Sequence, residues 1–446
     1  MEIKNYASKL VKPSKPTPST LRRYNISVFD EQVANINTNL ILYYTASSQN
    51  DNKHFDIFSH NLEISLSKTL TDFYPFSGRY IRNASLVNCS DQGALYVQAK
   101  ANFRLSEFLG LAWDLKLDML QDLHPCDFGE AGEIDDPMVS VKVTKFECGG
   151  VVIGMSFSHK ISDMSTMCIF INNWSARTKS LQIGVNNEVE LEKRKYYPDF
   201  SLAQLFPKRG LIDNSPRVPR SRIGMKNQVQ KFIFTRNAIS KIREKINMID
   251  DNNRPSKVQI IVALLWKALV GIDKANGQSK IAYAYQVVNM RNKVVPKLAD
   301  NSFGNFVTFA IVHINPNERD NVVDLQGFVK LLHESIKDID NICAGLMTHG
   351  DTKYELLSKR LMENSQDSSN KEIYYFTSWC RFSFYGADFG LGKPIWRSPG
   401  KFPGQNLVTM MDYDQEGGEG IEAWVHLDEN RMSQLEQDPD IMAYAI

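Results

Sequence analysis

No C-x-x-C pair, no H-E-x-x-H and no Cys/His cluster of zinc spacing occurs in this 446-residue chain, which argues against a metal site. Its six cysteines (Cys89, Cys126, Cys148, Cys168, Cys343 and Cys380) are scattered and read as reduced, packed thiols of the cytosol. Residues 1–10 lack the apolar core of a signal peptide, and no uninterrupted apolar run approaches the roughly 20 residues that span a bilayer. A cytoplasmic protein is therefore expected. An excess of charge is missing too, with 52 basic against 51 acidic residues. No broad basic field exists to hold nucleic acid or an anionic membrane, so an anionic ligand needs a local pocket. Without a G-x-S-x-G elbow, Ser156 and Ser158 carry no nucleophile signature. Short-period repeats and low-complexity tracts are absent as well.

What is present points to a mixed α/β enzyme. A chain this long exceeds what one hydrophobic core usually organises, so two domains of roughly 200 residues are expected. The stretch Gly149-Gly150-Val151-Val152-Ile153-Gly154-Met155-Ser156-Phe157-Ser158 reads as a buried strand after a glycine turn. Beyond it Met164, Met167, Cys168, Ile171 and Trp174 recur at three- and four-residue steps, which predicts one apolar helix face. His159 stands at this junction, where chain ends open into clefts, and an imidazole titrates near neutral pH. That suits a general base. Residues 139–143 should pair with the strand across Cys148-Gly149-Gly150, a hairpin that delivers His159.

Pro13, Pro16 and Pro18 predict an extended entry over residues 11–20. A helix is expected over 62–70 and a strand over 95–99. Residues 179–228 lose periodicity and gain Pro198, Pro207, Pro216 and Pro219, so they read as a long crossover between domains at 1–178 and 229–446. The second half should hold strands near 230–234, 281–289 and 306–314, with helices over 238–249, 257–272 and 325–339.

Asp163 lies four residues beyond His159. It could orient the imidazole as a dyad, or turn away to cap the helix or pair elsewhere; the structural reading is favoured. Ser256, after Arg254-Pro255, is by default an N-cap. Flanked by Arg254 and Lys257, the same helix start is also a local anion site. Residues 386–394 resemble a phosphate loop only superficially, because Pro394 stands where Ser or Thr would meet magnesium. Gly390 and Gly392 read as turn residues.

Together these motifs resemble the BAHD acyl-CoA-dependent acyltransferases of plants, over nearly the whole chain. His159-Lys160-Ile161-Ser162-Asp163 fits the family's H-x-x-x-D, and Asp388-Phe389-Gly390-Leu391-Gly392-Lys393-Pro394 resembles D-F-G-W-G-K-P at the right distance downstream. The segments Tyr74–Arg79, Phe146–Gly150, Asn301–Asn305 and Phe376–Arg381 match as well. The last, with Val288-Asn289-Met290-Arg291, looks most like the vinorine synthase-like alkaloid acetyltransferases. Two positions depart from the pattern: Leu391 replaces the usual tryptophan, and Met164 stands where a small residue is common.

The resemblance implies two chloramphenicol-acetyltransferase-like domains with mixed sheets, a long crossover loop and a channel between them. It implies His159 as general base, an ion pair between Asp163 and Arg291 that shapes the loop, and a structural role for Asp388, Phe389, Gly390 and Gly392. Thr377 and Trp379 become candidates for the wall near the oxyanion, and Ser256, Lys257 and Arg381 for contacts to CoA. No metal, no permanent cofactor and no covalent acyl-enzyme are expected; acetyl-CoA is the expected cosubstrate, and the protein should be a monomer. The acceptor implied is a hydroxyl of a plant specialised metabolite, an indole alkaloid ahead of a terpenoid. Alternatives are an acylsugar-type enzyme using a branched or medium acyl-CoA, and a catalytically silent ligand-binding relative.

Overall fold

The computed structural model describes residues 1–46, 52–125, 136–184, 196–210, 227–246, 254–318, 324–348, 352, 354–358, 370–400, 402, 404–413 and 419–446. The chain divides into two compact units, Met1–Pro219 with Ala299–Asn305 and Phe382–Phe402 in one, and Arg220–Leu298 with Phe306–Arg381 and Pro403–Ile446 in the other.

Among the described residues, the first unit carries a 6-stranded sheet in the order Ile3–Val11, Ala94–Ala101, Val139–Lys145, Val151–Ser158, Asn37–Tyr44, Trp396–Ser398. Ala94–Ala101 and Val139–Lys145 run parallel, and the other neighbours antiparallel. The expected hairpin is present, with Val139 opposite Phe157 and Lys145 opposite Val151. Its turn needs Gly149 at φ 81°, a left-handed conformation that costs glycine little. Both hairpin strands are buried along their whole length, as a sheet covered on both faces requires.

Helices Asn52–Asp72 and Met164–Gln182 pack against one another, with Trp174 Nε1 donating to Leu62 O at 3.0 Å and the Ser65 and Thr178 hydroxyls 2.8 Å apart. Phe170 on the second helix meets Phe73, Phe76 and Phe157 at ring separations of 5.2, 5.2 and 5.5 Å. Such edge-on rings add to the burial itself. This cluster seats the helix that begins beside His159.

In the second unit the sheet order is Val307–Ile314, Ile281–Asn289, Lys371–Ser378, Leu407–Tyr413, Gly420–Asp428, Asn227–Phe234. Helix Lys257–Ala275 is buried along most of its length and packs with Leu325–Ala344, where the Trp266 and Phe328 rings lie 5.1 Å apart. The strands and helices expected here form with boundaries shifted by a few residues, and Arg236–Ile246 covers the described part of the helix expected over 238–249.

The expected partition into 1–178, 179–228 and 229–446 was linear, whereas the compact units interleave. Trp396–Ser398 hydrogen-bonds to Asn37–Tyr44, and Phe303 N donates to Asp199 O, so two segments of the second half belong to the first unit. Of the crossover, residues 185–195 and 211–226 lie outside the described residues, as does Cys126.

Candidate active site

Val151–Ser158 ends directly before His159, and Met164–Gln182 starts five residues after His159, so strand and helix together fix the intervening loop. The loop is bonded at several points. His159 N donates to Ile36 O at 2.8 Å, Ser162 Oγ to Ser158 O at 2.7 Å, and the buried Lys160 ammonium to Val33 O at 2.7 Å. His159 as a residue is half-buried. Burial holds its pKa below the ordinary histidine value, against the opposing pull of its hydrogen bonds and of Asp163. A neutral ring is the form a base requires.

Two residues to which sequence reasoning assigned no role stand behind this ring, Asn305 in contact with it and Asp30 bonded to Asn305. His159 Nδ1 lies 3.0 Å from Asn305 Oδ1, while Asn305 Nδ2 donates to the His159 carbonyl at 2.8 Å and to Asp30 Oδ1 at 2.8 Å. Asp30 is fully buried and belongs to a capping box with Ser27 at the start of helix Val28–Gln32. Burial raises its pKa, and donors from Asn305 and Ser27 draw it back. The signal available was the Asn301–Asn305 match, which carried no role; nothing in local spacing joins residues 30, 159 and 305.

Asp163 is the N-cap of Met164–Gln182, its Oδ1 accepting from Thr166 N at 3.0 Å. The sequence favours a cap or an ion pair elsewhere over a dyad with His159. Arg291 is buried in the second unit, where its N and Nη1 donate to Asn289 Oδ1 at 3.1 and 3.3 Å. The Asp163–Arg291 pair is an implication of the resemblance alone.

The second motif is a tied loop of the first unit. Asp388 Oδ1 accepts from Gly390 N and Gly392 N, both at 2.8 Å. Buried Phe389 stacks edge-on to Trp174 at 4.8 Å and to Tyr44 at 6.0 Å. Leu391 is half-buried.

The remaining candidates fall in the second unit. Ser256 caps Lys257–Ala275 through Gln259 N. Lys257 Nζ is bound to Asp412 Oδ1 at 2.6 Å, and Arg381 N donates to the other oxygen of that carboxylate at 2.5 Å. Asp412 thus brings Lys257 and Arg381 together, a link invisible in sequence. Thr377 is half-buried and pairs in register with Thr409; Trp379 is buried, its N donating to Met410 O at 2.7 Å. Among the described residues no group of His, Cys, Asp and Glu could hold a metal ion, and no helix is long and apolar enough to cross a membrane.

The model of the family described as Transferase family matches residues 1–442. A limonoid 21-O-acetyltransferase of Melia azedarach is 31% identical over 445 residues, covering 100% of this chain and 98% of its own length. A Salvia splendens pelargonidin 3-O-(6-caffeoylglucoside) 5-O-(6-O-malonylglucoside) 4'''-malonyltransferase is 32% identical over 457 residues, with 100% of both chains covered. Vinorine synthase of Rauvolfia serpentina is 31% identical over 440 residues, covering 97% of this chain and 96% of its own. A crystal structure of vinorine synthase matches with a TM-score of 0.80 at 29% identity, over 100% of this chain and 98% of that one.

Proposed function

The chain belongs to the Transferase family, the BAHD acyltransferases whose motifs it carries, and from that premise we propose that His159 is the general base of acyl transfer from acyl-CoA to an alcohol. The observation that carries this reading is a half-buried histidine, held neutral by burial and bonded on its Nδ1 side to Asn305. Its Nε2 takes the hydroxyl proton as the acceptor oxygen attacks the thioester carbonyl. Collapse of the tetrahedral intermediate expels CoA sulfur, and the same nitrogen returns the proton to it. No acyl-enzyme intervenes.

Proton transfer of this kind supplies about 10²–10⁴-fold. Orientation of the two substrates supplies much of the remainder. Thr377 and Trp379 are our candidates for the donors facing the oxyanion. Ser256, Lys257 and Arg381 are our candidates for CoA, with Asp412 holding the last two in place.

The donor we favour is acetyl-CoA, supported by the match to the limonoid acetyltransferase. The acceptor we favour is a hydroxyl of a plant specialised metabolite, an indole alkaloid ahead of a terpenoid. A second reading, transfer of a different acyl group to a sugar hydroxyl, draws support from the malonyltransferase acting on a glucoside. Purified protein incubated with acetyl-CoA and plant extracts should add single acetyl units to a hydroxylated component, read by mass. If no acyl-CoA is turned over with any acceptor in a broad panel, a ligand-binding relative replaces this reading.

A further inference from the structure

An amide offers an acceptor at one end and donors at the other, so its orientation decides what its neighbours must be. Asn305 Nδ2 is committed to two acceptors, Asp30 Oδ1 and the His159 carbonyl, both at 2.8 Å. Turning the amide over would set its oxygen against both. Oδ1 therefore faces His159 Nδ1 at 3.0 Å, and the ring nitrogen opposite an acceptor must carry the hydrogen. A neutral histidine protonated on Nδ1 has its lone pair on Nε2.

Asp30 is the fixed end of this chain of bonds. Its Oδ2 accepts from Ser27 N at 2.8 Å and Ser27 Oγ at 2.7 Å, its Oδ1 from Asn305 N at 2.7 Å and Asn305 Nδ2 at 2.8 Å. The segment bearing Asn305 is held from the other side. Thr166 Oγ1 donates to Gly304 O at 3.0 Å and accepts from Gly304 N at 3.1 Å. Gly304 sits at φ +117°, and a Cβ there would come within 3.0 Å of Leu202 Cδ2 and 3.4 Å of Asp30 Oδ2. All of these residues belong to the first unit.

We propose that Asp30, acting through Asn305, is a positioning residue that fixes His159 as its Nδ1–H tautomer and so presents Nε2 to the acceptor hydroxyl. The inference rests on reading His159 as the base. It assigns Asp30 a task beyond capping helix Val28–Gln32, and it is separate from Asp163.

The test uses the full-length enzyme with ¹⁵N-labelled histidine. Long-range ¹H–¹⁵N spectra, with the His159 signals identified by their loss in His159→Gln, report which ring nitrogen carries hydrogen. The wild type should show Nδ1–H, and Asp30→Asn and Asn305→Ala should show a mixture or Nε2–H. Turnover in both variants should fall about 10-fold or more, since a wrong tautomer costs a comparable base up to about 10⁴-fold. The KM for acyl-CoA should stay within about threefold, as a loss confined to the transition state requires. Ser27→Ala, which removes a cap hydroxyl but leaves the amide oriented, should lower the melting temperature without changing the tautomer. An Nε2–H wild type, or an unchanged tautomer in both Asp30→Asn and Asn305→Ala, would overturn the proposal. Full turnover by His159→Ala would instead remove the base reading, while the spectra still decide whether Asp30 sets the tautomer.

Discussion

The Lys179 ammonium lies 2.6 Å from Asp388 Oδ2, joining the helix that follows His159 to the loop of the second motif. With Gly390 N and Gly392 N on its other oxygen, Asp388 closes the loop on itself and on the helix. Its pKa is pushed up by burial but ends below the ordinary value, because Lys179 and the two backbone donors outweigh that cost. This contribution is present above the usual carboxylate range and is lost as pH falls through the depressed pKa.

Asp388→Ala should therefore act on stability. Loss of two exposed hydrogen bonds and the Lys179 contact should cost about 1 kcal/mol, read as a lower melting temperature. Turnover per folded molecule should be kept. Lost turnover in a fully folded variant would place this aspartate in the chemistry.

Asp163 separates cap from charge. Asp163→Asn keeps an oxygen for Thr166 N, whereas Asp163→Ala loses it and should be less stable than the Asn variant by about 1 kcal/mol. Both should lower soluble yield or melting temperature along with rate. If the proposed Asp163–Arg291 pair forms, Arg291→Ala should behave like Asp163→Asn, because removing one partner strands the other charge. Undiminished stability with lost turnover would favour a catalytic dyad instead.

The strand–His159–helix junction was legible because each part is written in neighbouring residues: β-branched runs, the Gly149 turn and three- and four-residue apolar steps. For the same reason Asn305 and Asp30 were not. Their contacts with each other and with His159 span 275 and 146 positions, and no periodicity encodes such a meeting. Trp396–Ser398 was missed as a strand of the first unit because three residues are too few to show alternation. Lys257 read as one flank of an anion site at a helix start; only folding brings Asp412 to it.

The pH profile should carry the mark of burial at His159. A base works unprotonated, and its pKa is held below the ordinary value, so the acid limb of kcat/KM should fall below about pH 6.5. The profile at saturating acyl-CoA checks this. A limb clearly above that value would mean a charged ring stabilised in the enzyme–acyl-CoA complex.

In the second unit, Arg431 binds buried Asp273 at 2.9 Å and Glu372 at 3.1 Å, and Tyr374 donates to Asp273 at 2.7 Å. Arg431→Ala should cost about 3–5 kcal/mol, since it leaves an uncompensated buried carboxylate. Denaturant unfolding measures it, and a change under 1 kcal/mol, about the value of an exposed pair, would show that the carboxylate is hydrated or protonated.

The most direct measurement is the rate of CoA thiol release by wild type and His159→Ala, with acetyl-CoA and the acceptor found by mass screening. The account predicts a fall of about 10²–10⁴-fold with an unchanged melting temperature. A folded His159→Ala enzyme releasing CoA at the wild-type rate would contradict it.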